Sequence, residues 1–169
     1  MGLARNLKIA GFHVFLNTGA LLLFLLLNKN GAVFALAKIY VLIVLPLAYI
    51  FLGYRYVPAE ASFRSRMMSL SLVSLIGIAV WTVCLYFYVM DDAAARAESA
   101  FLVLPSEIVW IFYGAYNLLL YVPLIVLDFL SLKGEWKLQG YEAAGGVLLV
   151  NFIPLVLMYL GAFIKKNRS

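Results

Sequence analysis

Residues 67–90 read MMSLSLVSLIGIAVWTVCLYFYVM, an unbroken stretch without a charged side chain. A helix rises 1.5 Å per residue, so crossing ~30 Å of hydrocarbon takes about 20 residues, and this stretch is long enough. Inside hydrocarbon, backbone N–H and C=O groups must be satisfied without water, which leaves helices and closed barrels. The period-two alternation of a barrel strand is absent here, so the stretch reads as a membrane helix.

Four further runs on either side are long and predominantly apolar: 9–27, 39–57 (with a start nearer Ala32 as an alternative), 101–128 and 143–164. The connections between them are short. Asn28 to Gly31 is a turn signal, and Val57-Pro58-Ala59-Glu60 ends the second run because Pro lacks an N–H and restricts the residue before it. Asp91 to Ser99 is acidic and Ala-rich, and Ser131 to Tyr141 carries Lys133, Glu135, Trp136 and Lys137, an interfacial composition. The expected fold is therefore all-α: one polytopic membrane helix bundle of about five transmembrane helices, with no separate soluble domain.

Composition agrees. Of 169 residues, 66% are hydrophobic and 12% charged, against roughly 45–50% and about 25% in soluble domains. Mean hydropathy is +1.01. The net charge of +5 would raise nucleic acid as a partner for a soluble protein. Here the bases border apolar runs (Arg5 and Lys8, Arg64 and Arg66, Lys165, Lys166 and Arg168), where they orient helices and meet anionic head groups. The expected partners are the lipid bilayer and other membrane subunits, with no nucleic acid. The single cysteine, Cys84, reads as a small buried hydrophobe.

The first run is followed by polar Asn28-Lys29-Asn30-Gly31 rather than a small-x-small cleavage site, so it reads as a retained helix. The Arg55–Arg66 loop reads as cytoplasmic and the acidic Asp91–Glu98 loop as external. The basic tail at Lys165 to Arg168 also reads as cytoplasmic, and all three assignments conflict with five crossings. The orientation adopted places the N-terminus inside and the C-terminus outside.

Polar groups within apolar runs carry the functional information, because hydrocarbon makes them costly. On a straight helix over 101–128, Glu107, Trp110, Gly114, Asn117, Tyr121 and Asp128 fall within an arc of roughly 80°. That face is expected to point at other helices or a wet cavity, as a candidate ligand or proton pathway. The bland reading of the same residues is a helix-end carboxylate at Glu107, an interfacial Asp128 and an interhelical hydrogen bond from Asn117. The first run repeats the pattern with Asn6, Ala10, His13, Asn17 and Ala20 on one face. His13 is a candidate proton relay, weighed against a satisfied packing histidine. Lys38 either snorkels to the interface or pairs with Glu107. Pro46 and Pro154 predict kinks, with Asn151 placed to satisfy a backbone group freed by Pro154. Ser71, Ser74 and Gly77 offer close helix approach, and Tyr113, Tyr116 and Tyr121 are placed to line a groove.

No phosphate-binding glycine loop, dinucleotide fingerprint, zinc-protease motif, nucleophile elbow or paired-cysteine motif is present in the sequence. No catalytic residue, metal site or cofactor is expected. The leading functional expectation is a non-enzymatic subunit or accessory protein of a larger membrane complex. The alternatives are a small transporter or channel using the fourth-run stripe, and an intramembrane lipid-acting enzyme. The last ranks lowest, because 21 residues between Glu107 and Asp128 correspond to roughly 30 Å along a helix, which rules out a carboxylate dyad.

Overall fold

A computed structural model of the chain describes residues 3–22, 32–58, 60, 62–96, 112–120 and 141–167. Among these the chain is helical with no strand. The elements are α1 (Leu3–Val14), a π turn (Phe15–Gly19), α2 (Ala32–Ile39), a second π turn (Tyr40–Val44), α3 (Leu45–Tyr56), α4 (Phe63–Arg96), a 3₁₀ turn (Leu118–Leu120), α5 (Tyr141–Val150) and α6 (Ile153–Lys166). Residues 112–116, just before the 3₁₀ turn, are also helical.

Among the described residues, three helical stretches are long and apolar enough to cross a membrane: Leu36–Tyr56, Leu70–Met90 and Gly145–Lys166. They coincide with the second, third and fifth runs of the sequence. Against the expected count of about five, three are seen among the described residues; the end of the first run and much of the fourth lie outside them, and the described part of the first helix, from Leu3, includes the polar Arg5, Asn6 and Lys8. The third run extends beyond its expected 67–90 to Phe63–Arg96, since helical geometry continues through Arg64, Ser65 and Arg66 at one end and Asp91 to Arg96 at the other.

Both proline expectations have a visible counterpart. Pro46 lies in the first turn of α3, directly after the Tyr40–Val44 π turn. A proline removes its own N–H and crowds the carbonyl four residues back, and a π bulge is one way a helix absorbs that misfit. Pro154 follows a break at Asn151 and Phe152. There the ladder tightens, with Asn151 N donating to the Leu148 carbonyl at 3.2 Å and Phe152 N to Leu149 at 3.1 Å. Asn151 Nδ2 adds a second bond to Leu148 O at 3.2 Å.

The core is centred where α3 crosses α6. Leu45, Tyr49, Leu52, Met158 and Ala162 are buried there, joined by Ile9 and Ala10 of α1 and Leu70 and Val73 of α4. The crossing is close because each helix presents a glycine to the other's backbone. A Cβ on Gly53 would collide with the Met158 carbonyl, and one on Gly161 with the Ile50 carbonyl. Small residues at a crossing let two backbones approach and make van der Waals contact along their length. Beyond the crossing, Lys165 Nζ donates to the Val57 carbonyl at 3.1 Å, supplying a donor at the C-terminal end of α3.

Candidate functional site

The most connected polar group in the described structure is built around Asn17, in the first π turn. Asn17 is 0% exposed and His13, one turn earlier, 1%. Leu118 N donates to Asn17 Oδ1 at 2.8 Å. Asn17 Nδ2 donates to the His13 carbonyl at 2.8 Å and to Tyr49 Oη at 2.7 Å. The two backbone partners determine the amide orientation, because an N–H only donates and a carbonyl only accepts. Both donors and the acceptor of Asn17 are thereby engaged.

Tyr49 Oη receives from Asn17 and stands 2.6 Å from His13 Nδ1, so one hydrogen bond joins the hydroxyl to the ring. The other ring nitrogen, Nε2, is buried and closes no hydrogen bond. The His13 ring also packs on two tyrosines, with centroids 4.4 Å from Tyr116 and 5.7 Å from Tyr49.

The π turn explains why so many partners meet here. A π turn disturbs the regular i→i+4 ladder, and its carbonyls and side chains are taken up by other elements. Tyr40 Oη donates to the Leu16 carbonyl at 2.7 Å, and Thr18 Oγ1 donates to the Ala115 carbonyl at 3.3 Å. The two π turns thus face one another, through Tyr40 of the second and Leu16 of the first.

A second polar group lies around Asn151, at the break before α6. Tyr113 Oη donates toward Asn151 Oδ1 at 2.9 Å and the Val147 carbonyl at 3.1 Å. Ser74 Oγ donates to the Asn151 carbonyl at 2.8 Å, and Tyr116 Oη to the Val73 carbonyl at 2.6 Å. Gly77 lies directly beneath the Asn151 side chain, where a Cβ would strike Oδ1. Tyr113 and Tyr116 therefore connect the 112–116 helix to α5 and α4, while the His13 ring stacks against Tyr116.

Of the sequence candidates, the structure brings His13 and Asn17 together. Asn117 is 1% exposed and enclosed by protein. Its side chain faces the Tyr113 hydroxyl, and its Oδ1 closes no hydrogen bond. Lys38 lies in the last turn of α2, half-buried. Glu107, Tyr121 and Asp128 lie outside the described residues, as does the Lys38–Glu107 pair.

One premise of the stripe is corrected. The arc from Glu107 to Asp128 assumed a straight α-helix, but the helix at 112–116 stops at Asn117 and a 3₁₀ turn follows. The Leu118 N–H, which would continue the ladder to the Gly114 carbonyl, donates to Asn17 instead. Phase at 100° per residue does not carry across that interruption. Sequence reasoning missed Tyr49 and Tyr40, whose hydroxyls sit within the apolar 39–57 run. Their only signal is a phenol deep in such a run, which needs a partner once buried.

Among the described residues, no three His, Cys, Asp or Glu side chains gather as metal ligands. No protein-family model, curated protein or solved structure matches the chain.

Proposed function

We propose that this chain is a multi-pass membrane protein, its N-terminus cytoplasmic and its C-terminus on the same side beside Val57, that serves as a non-enzymatic subunit or accessory protein of a larger membrane complex. One observation carries this reading: two polar side chains at the centre of the bundle, Asn17 and Tyr49, are engaged with protein groups on every side. Asn17 has both donors and its acceptor in use, and Tyr49 is bonded on both sides. A substrate or ion pathway needs polar groups turned toward a guest. These tie the first π turn to α3 and to the start of the Leu118–Leu120 turn.

Large aromatic side chains on the outside support the same reading. Phe15, Phe51, Phe112 and Tyr86 are exposed, and inside a membrane such faces meet acyl chains or neighbouring helices. Solubilisation in mild detergent, followed by size and partner analysis, tests the proposal. Co-purification with defined membrane subunits is the expected result. A stable lone monomer with intrinsic activity would count decisively against it.

A small transporter or channel is the second reading, favoured by the facing π turns, because such turns occur often at functional sites. Flux in liposomes that responds to Asn117→Leu or Glu107→Gln would favour it. Absence of flux across a broad panel of ions and solutes would defeat it.

A further inference from the structure

The contacts along α4 give the direction of the helices packed on it. In α5 and α6, Val147 packs with Val80, Trp81 and Phe87 around Cys84 and Tyr113. The Asn151 carbonyl takes the Ser74 hydroxyl at 2.8 Å, and the rings of Tyr159 and Phe63 lie 5.5 Å apart. These partners run backwards along α4, so α5 and α6 are antiparallel to it. α5 therefore starts at the Arg96 end of α4. α6 finishes at the Phe63 end, where Lys165 bonds to the Val57 carbonyl. The first helix begins at that same end: Asn6 Nδ2 donates to the Met68 carbonyl at 3.3 Å, and the Phe12 ring lies 5.7 Å from that of Tyr56.

The fourth apolar run, 101–128, lies between these two helices. A chain that leaves α4 and rejoins the bundle at α5 on one side cannot cross a single time in between. The described part, 112–120, descends from the Arg96 side. Tyr113 packs with Cys84, Tyr116 Oη reaches the Val73 carbonyl, and Leu118 N reaches Asn17. Asn17 is bonded to Tyr49, which stands roughly 10 Å along its helix from Tyr56 and roughly 20 Å from Leu36. That depth is well inside the apolar span Leu36–Tyr56, and there the helix stops and the Leu118–Leu120 turn follows. Had the run crossed completely, residues 129–140 would have to cross back. As a helix they would rise about 18 Å, short of the ~30 Å of hydrocarbon. They also carry Lys133, Glu135 and Lys137, which hydrocarbon disfavours.

Resting on the membrane placement proposed above, we infer that the fourth run is a re-entrant segment: it enters and leaves on the Arg96 side and turns at 117–120, where Asn17 seats it. The protein then crosses four times. Bonds to the first π turn, α4 and α5 hold the segment as a wedge among them. Irregular backbone at membrane depth is tolerated only where protein encloses it or it lines a wet cavity. Asn117, Leu118 and Leu119 are buried, so this turn is enclosed. Four crossings also remove the conflict that five create. The Arg55–Arg66 connection and the basic tail now share a side with the N-terminus, and the Asp91–Glu98 loop lies on the other. Exposed Lys8, Arg55, Arg64 and Lys166 all belong to the first side, the pattern of a cytoplasmic face.

The test is side-specific labelling of the full chain in sealed membrane vesicles, using an impermeant thiol reagent and a Cys84→Ala background. Ala95→Cys and Ser131→Cys, which flank the fourth run, should react from the same face. Ser62→Cys and Asn167→Cys should react together from the opposite face. Reaction of Ser131→Cys from the face that labels Ser62→Cys, or from both faces, would overturn the re-entrant path. Should Ser131→Cys fail to fold, Gln139→Cys in the same connection gives the same readout. The pairing of positions is independent of which face is cytoplasmic, so an inverted orientation with these pairs intact still supports the inference. Failure of the membrane placement itself would be seen differently, as a chain that stays in solution without detergent, and would overturn both.

Discussion

Asn17 Oδ1 accepts the Leu118 amide at 2.8 Å across 101 positions of sequence, standing where the Gly114 carbonyl would stand in an unbroken helix. A side chain of the first helix thereby ends a helical segment contributed by the fourth run. The interruption at Asn117 is a tertiary effect, produced by a competing acceptor. Nothing in the local sequence around Gly114 to Leu118 breaks a helix as a proline would.

Asn17→Leu should therefore be destabilising beyond the loss of a single bond. It strands the Leu118 N–H in a buried site and withdraws the donor from Tyr49. A buried unsatisfied group costs about 1–3 kcal/mol, and a net loss of about 2 kcal/mol is expected. Thermal unfolding in detergent measures it, and a loss under about 0.5 kcal/mol, the scale of an ordinary surface change, would show that the contact is incidental.

Asn117→Leu should behave oppositely. Asn117 is enclosed by protein and its Oδ1 closes no hydrogen bond, so removing the amide forfeits its contact with the Tyr113 hydroxyl but also removes a buried unbonded oxygen. The expected cost is about 1 kcal/mol or less, in line with interhelical bonds in membranes. A severe loss of stability would mean that the amide does more than meet the Tyr113 hydroxyl.

The two glycines of the α3–α6 crossing should tolerate nothing larger. Gly53→Leu and Gly161→Val each drive a side chain into the opposing backbone, and overpacking costs typically 1–3 kcal/mol or more. Gly11→Ala is the control, because nothing lies within 4 Å of its Cβ position and Ala is the better helix former by up to about 1 kcal/mol. Unfolding midpoints of the three variants should separate into two lowered and one unchanged or raised. A lowered midpoint for Gly11→Ala alone would contradict the placement of these helices.

Orientation is tested by labelling in a Cys84→Ala background. Under the proposed topology, an impermeant thiol reagent applied from outside should mark Ala95→Cys and spare Ser62→Cys. The two positions bracket the apolar part of α4, which runs Leu70–Met90. The reverse pattern would invert the orientation, and labelling of both would show that α4 does not cross.

The apolar runs at 39–57, 67–90 and 143–164 were legible because length and hydropathy alone decide them. So was the inner face of the first run: Ala10, His13, Asn17 and Ala20 are all buried, as their shared helical phase implies. Period could not reveal Tyr49 as the partner of His13, because nothing in a sequence pairs two particular helices. Nor could it show the π turns, since a single added residue per turn leaves no mark on hydrophobic spacing. The extrapolation across Asn117 failed for the related reason that it presumed one helical phase where another element had intervened.

The contact between α3 and α6 also has a history. Lys165 and Val57, which it joins, lie 108 positions apart, so α3 is made long before its partner exists. Until then the narrow face at Gly53, shaped for another backbone, has only lipid or a chaperone against it. The bundle is consequently completed only at its C-terminal end. Its innermost crossing closes only after the most C-terminal helix has inserted, and a chain arrested before Gly161 would present an unfinished seam to whatever surveys the membrane for orphaned helices.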